Sequence, residues 1–280
     1  MTADGKEQRI SVPMGVTVKA DPNARAAESS SKSPVSLRLV VGGIAPKMPP
    51  HCSICGLREV CFPCDLMQQG TGHGNPMVIS DRCIKQGETL FRAGDDFHYL
   101  YTVRSGFFKT VQTLEDGREQ VTGFQMSGDM LGADAIGPHF HGCTAVALED
   151  SRVCPILYSR IDNLGDTMPE LQHRLHMAMS SEIVREHSVM LLLGMMTAEE
   201  RVAVFLLNLS QRLKARGYSP TEFVLRMTRR DVGSYLGMKL ETVSRMISKF
   251  RDDGLVSAAH RHIRVLDLAG LKRCIKQVAN

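Results

Sequence analysis

Residues 227–256 read MTRRDVGSYLGMKLETVSRMISKFRDDGLV, and this stretch decides the fold of the C-terminal part. Thr228 is a helix N-cap, and Asp231 three positions on closes a T-x-x-D box, so a helix opens at Arg229. Val232, Tyr235 and Leu236 supply its apolar face, and Gly237 permits a tight turn into a second helix. On that second helix Val243, Met246, Ile247 and Phe250 fall on one side, while Glu241, Ser244 and Arg245 fall on the other. The pattern is a helix-turn-helix, and polar side chains near the N-terminus of its second helix are what a reader of the DNA major groove needs.

Arg245 has the fork for guanine O6 and N7, Glu241 can accept from a cytosine amino group, and Ser244 can serve either kind of partner. Arg229, Arg230, Lys239, Lys249 and Arg251 are expected on phosphates, where they set the salt dependence. Lys239 stands near the N-cap of the reading helix, where Ser or Thr would be better by ~1 kcal/mol. Downstream, HRHIRVL (260–266) predicts a strand of a small wing along the duplex.

Charge agrees with this placement. The chain of 280 residues has a net charge of +4, but residues 198–280 hold 16 Lys and Arg against 8 Asp and Glu. A basic C-terminal module on a mildly acidic remainder points to double-stranded DNA as partner of that module. No apolar run is long enough to span a membrane and the N-terminus lacks a secretion signal, so a cytoplasmic protein with reduced thiols is expected.

Upstream, 169–196 reads as one long helix with Pro169 in its first turn. Met179, Ile183, Met190 and Leu193 form a stripe with the spacing of a two-helix seam, interrupted by Glu186, which predicts a homodimer. Two copies of Glu186 meeting there would repel each other and lose solvation. After Thr197, AEERVAVFLLNLSQRLKARG continues helical to Gly217. From Met77 to about Tyr158, apolar alternations broken at close intervals by glycine-containing turns predict an antiparallel barrel or double-sheet roll. The first fifty residues, with AAESSSKSP and IAPKMPP, read as a mobile tail.

Between tail and roll stands HCSICGLREVCFPC (51–64). Cys52, Cys55, Cys61 and Cys64 can together hold zinc, or some of them can join a more distant thiol on an iron–sulfur cluster; spacing does not choose. His51 reads as a loop residue, and Cys83, Cys143 and Cys274 as small buried apolar residues. No motif of a redox enzyme or catalytic Cys-His pair accompanies them, so no enzymatic activity is expected.

The residues TRRDVGSYLG and LETVSRMISKFRDDGLV resemble the helix-turn-helix of the CRP/FNR superfamily, and specifically its FNR-type oxygen-responsive members. The resemblance extends through CIKQGETLFRAGDDFHYLYTVRSGFFKT, REQVTGFQMSGDMLGADAIG, ALEDSRVC and AEERVAVFLLNLSQR, about residues 51–265. It implies an α+β chain: a tail (1–50), a cysteine-rich cluster-binding segment (51–76) and a cyclic-nucleotide-binding-like double-stranded β-roll (77–168). A dimerisation helix (169–197) and a winged helix-turn-helix (198–280) follow. It further implies a 4Fe-4S cluster on Cys52, Cys55, Cys61 and, through SRVCPI, Cys154, with Cys64 as the alternative fourth ligand. Molecular oxygen would be the signal, Glu186 would keep the dimer marginal, and the DNA site would be an inverted repeat, TTGAT and ATCAA separated by four bases. Activation would need RNA polymerase contacts through roll loops such as GREQVTGF (117–124). The Arg-Ser pair of cyclic-nucleotide binders is missing from LGADAIGPHFHGCTAVALED, so no cyclic nucleotide is expected.

Overall fold

The structure, a computed structural model, describes residues 81–165 and 169–275. The expected tail and the cysteine-rich segment, with His51, Cys52, Cys55, Cys61 and Cys64, lie outside the described residues.

Among the described residues, eight strands precede the long helix: β1 (Arg82–Ile84), β2 (Thr89–Phe91), β3 (Tyr99–Ser105), β4 (Phe107–Thr113), β5 (Glu119–Met126), β6 (Met130–Leu131), β7 (Thr144–Ala147) and β8 (Ser151–Leu157). They form two antiparallel sheets, ordered β1-β8-β3-β6 and β2-β7-β4-β5, neither closed on itself. Alternation turns Tyr101, Val103 and Val153 of one sheet toward Phe108, Ala145 and Ala147 of the other, and these buried side chains fill the space between the sheets. A register shift between Thr110 and Val111 interrupts that alternation. Val111 accordingly joins Val121, Phe124 and Met126 in a separate core shared with the helical half.

A short helix α1 (Tyr158–Gly165) precedes α2 (Pro169–Met195), which at 27 residues is ~40 Å long. The backbone turns extended at Thr197, whose hydroxyl accepts from the Glu200 amide while the Glu200 carboxylate accepts from the Thr197 amide. This reciprocal cap starts α3 (Ala198–Lys214) as a new helix rather than a continuation of α2. Then come β9 (Glu222–Val224), α4 (Arg229–Tyr235), α5 (Leu240–Asp252), β10 (Val256–Ala259), β11 (His262–Val265) and α6 (Leu268–Arg273). Strands β10, β11 and β9 form an antiparallel sheet in that order, so the expected wing is present.

Two expectations need correction. Cys143 is buried and Cys274 half-buried, but Cys83 is exposed. It lies on the short edge strand β1, where only Ile84 turns into the core. The segment 117–124 is not a free loop either: Gln120 donates to the Ser234 carbonyl, and the Val121 amide donates to Ser234 Oγ at 2.9 Å. Strand β5 is thus docked on α4, leaving the exposed turn at Leu114–Gly117 as the open tip of the hairpin.

Candidate nucleic-acid interface

The local signals at Thr228 produce the expected cap. The Asp231 amide donates to Thr228 Oγ1 at 3.1 Å, and the Thr228 amide donates to Asp231 Oδ2 at 2.8 Å. Val232 and Leu236 are buried, and Tyr235 is half-buried with its ring centroid 5.1 Å from that of Phe124. Gly237 takes φ 61° at the turn, a value that strains any residue with a Cβ. Gly233, to which no sequence motif points, is equally constrained, since a Cβ there would stand 2.7 Å from the Met238 carbonyl oxygen. Close approach of α4 to the N-terminus of α5 therefore depends on a glycine in the first helix.

In α5, Val243, Ile247 and Phe250 are buried and Met246 is half-buried against the same core. Glu241, Ser244 and Arg245 are all exposed, together with Lys239 and Arg230. Lys239 is the N-cap of α5 and makes no side-chain capping bond, so the first amides of this helix have no side-chain cap. Two of the basic residues expected on phosphate are already paired: the Lys249 ammonium with Glu199 in the first turn of α3, and Arg251 with its neighbour Asp252 at 3.1 Å. Arg229 is half-buried and donates through Nη2 to the His260 carbonyl at 3.2 Å, tying α4 to the wing. Its Nη1 is buried with no partner in the described structure, and burial lowers its pKa.

Arg201, which carries no local signal in the sequence, holds this unit to the long helix. It donates to the carbonyls of Leu193 at 2.7 Å and Met196 at 2.9 Å, and to Leu236 of the turn at 3.0 Å. The orphan carbonyls at the end of α2 and in the helix-turn-helix thereby share one guanidinium.

Along α2, Ile183, Glu186 and Met190 are exposed, with Val184, Leu191 and Met195 beside them, whereas Met179 and Leu193 are half-buried. Exposed Met190 and Met195 retain 68% and 69% of their surface, an apolar helix face suited to a second helix. Between α2 and the roll runs a cleft of about 560 Å³. Its lining includes Asp134, Glu182 and Glu186 with Gln112, Gln120 and Gln125, and among the described residues no Lys or Arg lines it. Burial raises the Glu182 pKa, partly countered by Arg185 at 2.7 Å and reinforced by Asp129 and Glu186. Burial, with Asp134 beside it, pushes the Cys143 thiol up to about 12, so that sulfur is a protonated core group at neutral pH.

Cys154 is buried on β8, opposite Thr102 of β3, in a cluster with Phe97, Leu100, Ala135, Ile156 and Ile161. Among the described residues no group of three or more His, Cys, Asp or Glu converges to hold a metal.

Comparison with known proteins agrees with this architecture. A profile described as a Crp-like helix-turn-helix domain matches residues 200–274, and one described as a cyclic nucleotide-binding domain matches residues 81–167. The transcriptional regulatory protein btr of Bordetella pertussis is 43% identical, across 81% of this chain and 94% of its own length. The fumarate and nitrate reduction regulatory protein of Escherichia coli K12 is 40% identical, across 77% and 86%. The structure of FixK2 from Bradyrhizobium japonicum superposes with a TM-score of 0.67 at 29% identity, covering 73% of this chain and all of that one. A cyclic-nucleotide-binding type of roll, a long helix and an exposed basic helix-turn-helix, shared with regulators over most of their length, place the chain in the CRP/FNR family of DNA-binding transcription regulators.

Proposed function

We propose that this regulator is an oxygen-responsive switch: a homodimer that binds inverted-repeat DNA under anaerobic conditions, when a 4Fe-4S cluster is held by Cys52, Cys55, Cys61 and Cys154. The observation that carries the reading is Cys154. Its side chain is buried among Phe97, Leu100 and Ile156 at the SRVCPI motif, apolar surroundings of the kind that limit solvent access to a metal centre. Thiolates are the usual ligands of such clusters, so the donor set fits. When bound, the cluster supplies chemistry that molecular oxygen attacks.

The residues of the chain do the rest. Glu186 lies exposed on the apolar face of α2, so two copies brought together there repel, and association stays marginal without an added contribution. Once paired, two copies of α5 present Glu241, Ser244 and Arg245 to half-sites about one helical turn apart. The acid-lined cleft disfavours a cyclic phosphate, so a cyclic nucleotide is not part of the reading. Activation would come from RNA polymerase meeting the exposed Leu114–Gly117 tip, and the protein would act in the cytoplasm.

The test is a visible spectrum with iron, sulfide and zinc analysis on anaerobically purified protein, repeated after air. A brown, sulfide-containing sample that bleaches while its dimer and DNA binding decline supports the proposal. A colourless zinc protein indifferent to air would instead assign Cys52, Cys55, Cys61 and Cys64 to a structural metal and remove oxygen sensing.

A further inference from the structure

One carboxylate in the described structure gathers three arginines from two separate helical segments. Asp129 follows Gly128 in the turn between β5 and β6, and its side chain is 6% exposed. Oδ2 accepts the Met126 amide at 2.8 Å and is also met by Arg212 from the last turn of α3. Oδ1 is met by Arg216, just beyond α3. Arg185 of α2 stands 3.8 Å from Oδ1 and reaches Glu182 at 2.7 Å with its other nitrogen.

The arginines also bond to roll backbone. Arg212 Nη2 donates to the Phe124 carbonyl at 2.8 Å, Arg216 Nε donates to the Ser127 carbonyl, and Arg216 Nη1 donates back to the Arg212 carbonyl at 2.9 Å. Roll, long helix and DNA-binding unit therefore meet at a single buried charge. Charge-assisted bonds from planar guanidinium groups fix direction as well as distance. Removing the carboxylate would leave Arg212 and Arg216, both mostly buried, without their counter-charge. Within the helical half, Val202, Leu206, Val243, Ile247 and Phe250 would stay packed together, on the same core that Val121, Phe124 and Met126 of the roll share.

We propose that Asp129 is a positioning residue: it fixes the DNA-binding unit against the roll and α2, and so sets the separation of the two reading helices in the dimer. The inference rests on the dimeric, inverted-repeat reading above.

The experiment uses anaerobically purified full-length protein and a series of inverted repeats whose central spacer is lengthened or shortened by one or two base pairs. Wild type should prefer one spacer. Asp129→Asn should compress the ratio between best and next-best spacer by about tenfold, with the dimer fraction in sedimentation unchanged, and Asp129→Glu should restore part of the preference. Hydrogen exchange at the Val121 amide, which reports docking of β5 on α4, should quicken in Asp129→Asn. Wild-type spacer preference and wild-type exchange at Val121 in Asp129→Asn would overturn the inference. Should Asp129→Asn fail to fold, Arg216→Gln decides in its place, because Arg212 still holds the carboxylate; an unaltered spacer preference and exchange rate there overturn it equally. Failure of wild type itself to prefer any inverted repeat would count against the dimeric reading, while the exchange measurement still tests the docking role of Asp129.

Discussion

Lys109 Nζ of β4 stands 2.6 Å from Asp231 Oδ1 in the first turn of α4, a salt bridge from the β-roll into the helix-turn-helix. The same carboxylate closes the cap on Thr228, so one aspartate both starts the first helix of the DNA-binding motif and anchors it to the β-roll. Replacing Lys109 with Met keeps the aliphatic stem but removes the charge. A bond of this kind contributes ~1.5–3 kcal/mol, so Lys109→Met should lower the urea midpoint by a corresponding amount without altering the slope. An unchanged midpoint would show that the pair adds nothing beyond its desolvation cost.

The same salt bridge predicts a pH dependence. Burial by itself would raise the Asp231 pKa, but hydrogen bonds from Lys109 and Thr228 outweigh it and hold the carboxyl below the ordinary range. A folded pKa below the unfolded one stabilises fully above the unfolded value of ~3.9, and that stability is lost as pH falls through the folded pKa. Thermal melts should therefore show wild type losing more of its midpoint than Lys109→Met as pH drops through about 4 and below. Parallel curves for the two proteins would remove the pair as the source.

On DNA, the exposed and the committed basic residues should separate. Arg245→Ala is expected to cost ~1–3 kcal/mol and to relax selectivity at one base position. Lys239→Ala should leave selectivity intact and make the salt slope shallower by about 0.9 for each phosphate that Lys239 neutralises in each subunit. Lys249, paired with Glu199, should change that slope less than Lys239. Fluorescence anisotropy across a salt series distinguishes them, and equal slopes for the two lysine variants would contradict the commitment of Lys249.

The helix-turn-helix was legible because its signals are local: Thr228 and Asp231 are three residues apart, and Gly237 marks its own turn. The roll was legible from closely spaced turns, and α2 from its length and apolar spacing. What the sequence hid is long-range. Lys109 and Asp231 are 122 positions apart, and nothing local to either announces the other. The meeting of Asp129 with Arg212 and Arg216 and the grip of Arg201 on two separate segments are hidden for the same reason. Cys83 was misjudged because burial on an edge strand depends on which face is covered, and three residues of β1 carry too little alternation to reveal it. Gly233 left no signal, because a glycine inside a helix reads as a propensity cost until the neighbouring carbonyl is seen.

The seam of α2 yields a further expectation. Ile183 and Met190 are exposed on either side of Glu186 in sequence, so replacing the carboxylate removes a repulsion while leaving the apolar surface that would drive pairing. Glu186→Ala should be predominantly dimeric in air, where the proposed switch makes wild type monomeric, and should keep DNA binding in the absence of the proposed cluster. Sedimentation velocity in air at micromolar protein checks this. Equal dimer fractions in the two proteins would mean that another residue keeps association marginal.

Two serine variants test which thiol would be the fourth ligand of the proposed cluster. Cys154 is buried in an apolar cluster on a strand that is paired on both sides, with β1 and β3, so a serine there removes a sulfur without freeing the backbone to bring in a substitute. Hydroxyl oxygen is a poor replacement for thiolate on iron. Cys154→Ser should therefore purify anaerobically without the brown chromophore and behave as a monomer with weak DNA binding, while Cys64→Ser should keep colour, sulfide content and dimer. The reverse pattern would move the fourth ligand to Cys64 and make the cysteine-rich segment self-sufficient. In that case Cys154 would be a core residue of the roll, and its replacement by serine should lower thermal stability while leaving the metal content unchanged.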